Sequence, residues 1–191
     1  MEHLFTMFIT AVLINNVILN QFLGMCPFMG VSKKSSSAVG MGAAVTFVVV
    51  VASIATYVIY YQILVRFHIE YMDLLTFILV IAALVQFTEM VIKKTSPSLY
   101  KALGVYLPLI TTNCVVLNVA LENIKQGFTF SEMLTYSFAI PIGFTLVLYI
   151  FSTIRERLDA ANTPIAFKGN PIALIVAGIM ALAFSGLAGL V

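Results

Sequence analysis

The sequence has very little charge. Only 9% of its 191 residues are Asp, Glu, Lys or Arg, whereas 61% are hydrophobic. Soluble domains carry about 25% charged and about 45–50% apolar residues, so a water-soluble fold is excluded and lipid is the expected solvent. A net charge of +2 is too small to indicate a nucleic-acid partner.

Several residue types are absent or scarce. There is no Trp, so Tyr is expected to supply the aromatic residues of the membrane interfaces. No Lys or Arg precedes Lys33, which argues against a secretory signal. The two cysteines, Cys26 and Cys114, are too few for a disulfide framework. His3 and His68 fall near predicted helix ends and do not pair with either cysteine, so no other strong metal ligand is evident.

Long apolar runs make up most of the chain. A membrane-spanning helix needs about 20 such residues, and six runs meet that length. They cover about Leu4–Leu23, Ala38–Tyr60, Met72–Ile92, Ala102–Leu121, Met133–Ile154 and Pro171–Leu190. We therefore expect an all-α membrane protein with six transmembrane helices, built as one domain over residues 1–191.

The basic residues predict an orientation. Eight of the ten fall in loops one, three and five, and they are Lys33, Lys34, Lys93, Lys94, Lys101, Arg155, Arg157 and Lys168. Only Arg66 and Lys125 fall in loops two and four. By the positive-inside rule, the odd-numbered loops are predicted to be cytoplasmic and both termini to lie outside.

The six helices divide into two halves, about residues 1–95 and 96–191. Three helices per half place the second half upside down, which predicts a 3+3 inverted repeat. Helices one and four are each predicted to be broken near the membrane midplane, because each carries polar residues, a Pro and one of the two cysteines. The polar residues are Asn15, Asn16, Asn20 and Gln21 in helix one, and Thr111, Thr112 and Asn113 in helix four.

Cys26 and Cys114 are the candidate site residues. Each lies about 10–12 Å from the end of its segment if helical, which is near the centre of a hydrocarbon core about 30 Å thick. The residue pattern allows a disulfide, a soft metal such as copper, or half of an iron–sulfur cluster. A small apolar filler role is a further reading. The residues themselves leave these alternatives open.

Other polar groups have plainer interpretations. Thr111, Thr112 and Asn113 either donate hydrogen bonds to sulfur or cap a half-helix. Glu89 lies four residues before Lys93, as in a helical salt bridge. Arg155, Glu156, Arg157 and Asp159 are expected to form a solvated cytoplasmic face that contacts soluble subunits. Small residues four apart in helix six, from Ala173 to Gly189, are expected to pack within the same chain, with a partner chain as the alternative.

Several motifs resemble one family. They are Leu23-Gly-Met-Cys-Pro-Phe-Met-Gly-Val-Ser-Lys-Lys34, Gln86-Phe-Thr-Glu-Met90, Lys94-Thr-Ser-Pro97, Leu107-Pro-Leu-Ile-Thr-Thr-Asn-Cys114 and Ile154-Arg-Glu-Arg-Leu158. Together they resemble the RnfA family of integral membrane proteins, which belong to the Rnf electron-transport complex. The resemblance covers the whole chain.

The resemblance implies a specific function. Rnf complexes transfer electrons between ferredoxin and NAD and couple this to Na⁺ or H⁺ translocation across a bacterial or archaeal cell (inner) membrane. It implies that Cys26 and Cys114 are ligands of a two-iron, two-sulfur (2Fe-2S) cluster, shared with an RnfE-like partner that supplies the other two cysteines. The remaining subunits are RnfB, RnfC, RnfD and RnfG. The chain is then part of a translocase and not catalytic alone.

Three alternatives stay open. The first is an NqrE-type subunit of the Na⁺-pumping NADH:quinone oxidoreductase, which is similar in sequence. The second is a stand-alone secondary transporter, since inverted repeats and broken helices suit it equally well. The third is a structural anchor with inert cysteines. If the chain is an RnfA-like electron-transfer subunit, Asn15, Asn16 and Asn20 are candidates for an ion route beside the broken helix.

Overall fold

A computed structural model describes residues 2–14, 16–32, 35–68, 70–95, 109–110, 113–160, 164 and 167–188. Every regular element in these residues is a helix. Three helical stretches are long and apolar enough to cross a membrane, namely Ala38–Phe67, Asp73–Met90 and Phe130–Asp159. Asn170–Gly186 is a shorter apolar helix. The membrane class predicted from composition is therefore supported, and the full set of six crossings stays a prediction.

The first predicted span is a series of short segments. Helix α1 (Glu2–Ile9) continues into a π-helical segment (Thr10–Ile14), which is followed by α2 (Val17–Gln21) and α3 (Met25–Val31). Between α2 and α3 the backbone turns left-handed at Phe22, with φ 53°, and at Gly24, with φ 80°. A left-handed turn cannot continue a right-handed helix, so the chain restarts at Met25. The interruption predicted in this span is present.

The next helices are long and continuous. Helix α4 (Ser35–Ile59) passes through a π-helical segment (Tyr60–Leu64) into the single turn α5 (Val65–Phe67). A short 3₁₀ turn (Glu70–Met72) leads into α6 (Asp73–Thr95). These bounds fall within a few residues of the predicted second and third spans, because uniform apolar runs of this length leave little choice but a helix.

Three helices complete the described chain. They are α7 (Cys114–Lys125), α8 (Phe130–Asp159) and α9 (Asn170–Ala188). Thr129 and Glu132 form a capping pair at the start of α8, where the Glu132 carboxylate accepts from Thr129 N at 2.9 Å and from Thr129 Oγ1 at 2.7 Å. This pair satisfies a backbone N–H that has no partner within the helix, which fixes where α8 begins. Residues 96–108, which hold most of the first half of the predicted fourth span, lie outside the described residues.

The described chain divides into two compact units. One comprises Met1–Ala43 with Ala139–Val191, and the other comprises Ala44–Phe138. In the first unit, α9 packs on α2 and on the π-helical segment before it. In the second unit, α6 packs on α7, and Asn123 Nδ2 on α7 donates to Ser137 Oγ on α8 at 3.1 Å. The inverted-repeat halves at about 1–95 and 96–191 are a sequence prediction that this division does not test.

Large apolar side chains remain exposed along several helices. On α6 they include Leu75, Leu79, Phe87 and Met90, each at least 62% exposed. On α9 Leu182 is 76% exposed. A soluble monomer rarely carries so much contiguous apolar surface, whereas lipid covers it without cost. The surface is thus that of a membrane protein.

Candidate functional site

Cys26 lies in the first turn of α3. The helix begins after Gly24, whose left-handed backbone (φ 80°, ψ 20°) only glycine adopts readily. Pro27 also lies in this first turn, where the missing N–H costs nothing because it would have no partner within the helix. The first backbone bond of the helix runs from Phe28 N to Gly24 O at 3.1 Å. Cys26 itself is exposed, so a group outside this chain can reach its sulfur.

Cys114 is the first residue of α7, and Cys26 is the second residue of α3, so both lie in a first helical turn. The preceding Asn113 is extended (φ −74°, ψ 114°), and its Oδ1 accepts from Val115 N at 3.0 Å. This is an N-cap, which explains why the helix begins here. Cys114 is half-buried.

The amide nitrogen of Asn113 is unusual. Asn113 is only 4% exposed, and among the described residues its Nδ2 has no hydrogen-bond partner. A buried amide donor left unpaired costs about 1–3 kcal/mol. A sulfur ligand or a bound anionic group beside Cys114 would be an acceptor for it. Of the two roles expected for Asn113, the capping role is therefore observed, and the donor role stays a prediction.

Helix α2, in the first predicted span, also begins after a capping asparagine. Asn16 precedes α2, is extended (φ −69°, ψ 119°), and its Oδ1 accepts from Ile18 N at 3.1 Å. It is 2% exposed, its observed role is this cap, and its part in an ion route stays a prediction. Asn20 is exposed. Asn15, Thr111 and Thr112, which were also candidate residues, lie outside the described part of the chain.

The two cysteines thus share a local setting. Each stands in the first turn of a helix that follows a backbone interruption, where the helix dipole favours negative charge. Thiolates and thiolate-bound clusters are negatively charged, so this setting suits them. Within the described residues, no group of three or more His, Cys, Asp or Glu side chains is placed to hold a metal.

One predicted surface residue is buried. Arg155 was expected on a solvated face with Glu156, Arg157 and Asp159, but it is only 4% exposed, so that expectation is wrong for Arg155. The other three are exposed. Its place in the helix explains the difference, because Arg155 follows the buried Phe151 by four residues and therefore shares its face of α8. That spacing was a sequence signal for burial.

Arg155 contacts the segment that carries Cys26. Its Nη1 donates to Met29 O at 2.9 Å and to Ser32 Oγ at 2.7 Å, and its Nη2 donates to Asn170 Oδ1 at 3.5 Å. One helical turn earlier, Phe151 stacks on Phe28 with ring centroids 4.1 Å apart. Helix α3 thus packs against α8 and is hydrogen-bonded to it.

Two further expectations have partial outcomes. Glu89 is half-buried, and the side chain of Lys93 lies outside the described residues, so their salt bridge stays a prediction.

Of the small residues on α9, Ala173 and Ala177 are buried at 1% and 4% exposure, within the unit where α9 packs on α2. At these two positions the ridge packs inside the chain, as expected.

Comparison with known proteins gives a consistent result. A family model described as Rnf-Nqr subunit, membrane protein, matches residues 4–191. The A subunit of the ion-translocating oxidoreductase complex of Syntrophotalea carbinolica is 54% identical over 191 residues, which cover all of this chain and 99% of that protein. The protein of the same name from Aliivibrio salmonicida is 57% identical over 183 residues, covering 96% of this chain and 95% of that protein. The Proteus mirabilis protein is 56% identical over 185 residues, covering 97% and 96%.

Proposed function

Because this chain belongs to the Rnf-Nqr family of membrane subunits, we propose that it is the A subunit of an ion-translocating oxidoreductase complex and carries electrons within the membrane. Relatives that bear this name are similar over nearly their whole length. The observation that supports the electron-carrying role is the placement of Cys26 and Cys114, each in the first turn of a helix that starts at a backbone interruption.

We propose that Cys26 and Cys114 each provide one thiolate ligand to a two-iron, two-sulfur cluster. Such a cluster commonly has four cysteine ligands, so a homologous RnfE-like protein is proposed to provide the other two. The donor chemistry fits, because both sulfurs lie at helix starts that favour negative charge and Cys26 is exposed to a partner. When bound, the cluster would accept and release one electron near the middle of the insulating bilayer.

The chain's own residues have defined parts in this proposal. Gly24 and Asn113 are the N-cap residues of α3 and α7, so each allows a new helix to start at or directly before a cysteine. The Nδ2 of Asn113, which has no partner in the part of the chain that the structure describes, is a hydrogen-bond donor that a sulfur acceptor could use. Hydrogen bonds to sulfur raise the reduction potential of such centres, because they stabilise the added negative charge.

The coupling of electron transfer to ion translocation is a property proposed for the whole complex, not for this chain alone. We propose that electron transfer between ferredoxin and NAD by the assembled complex, with RnfB, RnfC, RnfD and RnfG, drives Na⁺ or H⁺ across the cell membrane. An ion route along the first interrupted segment stays part of this proposal, with the exposed Asn20 as its accessible polar group. The polar, interrupted helix is the feature that supports it, since such helices often line ion sites in transporters.

The experiment is an electron paramagnetic resonance spectrum with an iron count, on the chain purified anaerobically with its RnfE-like partner. We expect a reduced two-iron signal that is lost in Cys26→Ser and in Cys114→Ser and is absent from this chain alone. Met25→Ser and Leu117→Ser are matched controls, since they introduce the same side chain nearby and should keep the signal. An iron-free but well-folded wild-type pair would contradict the cluster and favour a stand-alone transporter.

A further inference from the structure

The buried guanidinium of Arg155 contacts the C-terminal end of the helix that carries Cys26. The last carbonyls of a helix have no partner within it, and in the seven-residue α3 these belong to the last residues, including Met29. Arg155 Nη1 donates to Met29 O at 2.9 Å and to the fully buried Ser32 Oγ at 2.7 Å. A cation at this end is also favoured by the helix dipole.

Among the described residues, the side-chain and backbone acceptors that bind Arg155 are uncharged. They are the Met29 carbonyl, the Ser32 hydroxyl and the Asn170 amide oxygen, and its Nε has no partner among the described residues. The positive charge of Arg155 is thus brought into a buried site where none of the described residues supplies a hydrogen-bonded carboxylate, and such burial is costly.

Glu156, the next residue on α8, contacts the start of α4, the helix that follows α3. Its carboxylate accepts from the backbone N of Ser35, the first residue of α4, at 2.9 Å. Arg155 therefore fixes the end of α3, and Glu156 fixes the start of α4 that follows it. Together with the stack of Phe28 on Phe151, these contacts attach the Cys26 segment to one end of α8.

We propose that Arg155 is a positioning residue for Cys26, which fixes α3 against α8 and places a permanent positive charge near the redox group that Cys26 ligates. Met29 follows Cys26 by three residues, which is about 4.5 Å along a helix. A nearby positive charge stabilises an added electron, because charges interact strongly where water is excluded. The positioning role follows from the contacts alone, and the effect on the reduction potential rests on the proposed function.

The test uses the assembled complex with wild-type chain, Arg155→Gln, Arg155→Lys and the control Arg157→Gln. Arg157 is exposed and two residues away, so its replacement removes the same charge without these contacts. Two quantities are measured: the amide hydrogen exchange of residues 25–32, and the midpoint potential of the cluster from a redox titration. Neither one measures turnover.

For Arg155→Gln we expect exchange in residues 25–32 to rise about tenfold, as hydrogen bonds to a charged group are lost. We also expect the midpoint potential to become more negative. Arg157→Gln should leave both unchanged. Arg155→Lys should keep the potential near the wild-type value, since it keeps the charge, while exchange remains raised because Lys lacks the forked donor.

Equal exchange in Arg155→Gln and Arg157→Gln would overturn the positioning role. Raised exchange with an unchanged potential would overturn the electrostatic part. A wild-type complex without a cluster would contradict the proposed function, and the exchange comparison would still decide the positioning role. If Arg155→Gln fails to assemble, Ser32→Ala removes one acceptor and keeps the arginine, and unchanged exchange in that variant would count against the proposal.

Discussion

At Gly143, helix α8 comes so close to the N-terminal segment that a methyl group does not fit. A Cβ there would lie 2.8 Å from Val12 O and 3.1 Å from Asn16 Nδ2. The neighbouring atoms belong to the backbone of the π-helical segment and to the cap of α2, and neither can move without disturbing the interruption. The glycine therefore sets the spacing between α8 and the first interrupted span.

We predict that Gly143→Ala lowers the free energy of unfolding by about 1–3 kcal/mol, the usual cost of overpacking. The thermal unfolding midpoint in detergent measures this. Gly40→Ala is the control, because a Cβ at Gly40 in α4 has nothing within 4 Å. That change should leave stability equal or raise it by up to about 1 kcal/mol, since Ala is the better helix former. Similar midpoints for the two variants would contradict the close approach.

Arg155 is a single residue whose burial was not predicted from the sequence. The run Arg155-Glu156-Arg157 looks solvated, since charged residues are almost never buried without a partner. The partners of Arg155 are oxygens of residues 29, 32 and 170, which are 126, 123 and 15 positions away and are brought together only by folding. Burial of Phe144, Leu148 and Phe151 on the same face of α8 gives the spacing that points to it.

Among the elements, the helix starts depend on single polar residues. Asn113 caps α7 through Val115 N at 3.0 Å, directly before Cys114. We predict that Asn113→Ala destabilises the protein by about 1 kcal/mol, because the cap acceptor is lost. Asn113→Ser should retain most of the stability, since Ser also caps, and yet it removes the amide donor.

Thermal midpoints of the two Asn113 variants measure the cap, and the spectrum of the assembled pair measures the donor. A spectrum altered in both variants, with stability lost only in Asn113→Ala, would separate the two roles. Equal stability of both variants and the wild type would mean that the cap does not determine where α7 begins.

The long helices were predictable, whereas the interruptions were predictable only in part. Uniform apolar runs gave α4, α6, α8 and α9 to within a few residues. The π-helical segment Thr10–Ile14 has no signature in its apolar sequence. The start of α8 at Phe130 rather than at the predicted Met133 follows from Thr129 and Glu132, a Thr-x-x-Glu pattern that marks a helix start.

The two interrupted segments also share a sequence pattern. Asn15-Asn-Val-Ile-Leu-Asn20 and Asn113-Cys-Val-Val-Leu-Asn118 have the common form Asn-x-Val-x-Leu-Asn. This supports the proposed repeat, but it aligns Cys114 with Asn16 and not with Cys26. The likeness of the two cysteines therefore rests on their shared place in a first helical turn, which only the structure provides.

For the whole molecule, composition alone decided the class. With 61% hydrophobic residues the chain must leave much apolar surface outside, and α6 and α9 do so. The proposed sharing of a cluster with a partner protein cannot be read from one chain's sequence, because a cluster with four thiolate ligands would need two such chains. The family match over residues 4–191 is the basis on which a complex and that partner are proposed.

Orientation in the membrane is the remaining whole-molecule prediction. Eight of the ten basic residues fall in loops one, three and five, and such loops stay in the cytoplasm because translocating Lys and Arg is unfavourable. We predict that alkaline phosphatase is active when fused after Gln126 or Val191 and inactive when fused after Lys94 or Lys168. Green fluorescent protein at the same four positions should give the opposite pattern, since it folds in the cytoplasm. Activity of phosphatase at Lys94 would reverse the orientation, and activity at both Lys94 and Gln126 would contradict the fourth span between them.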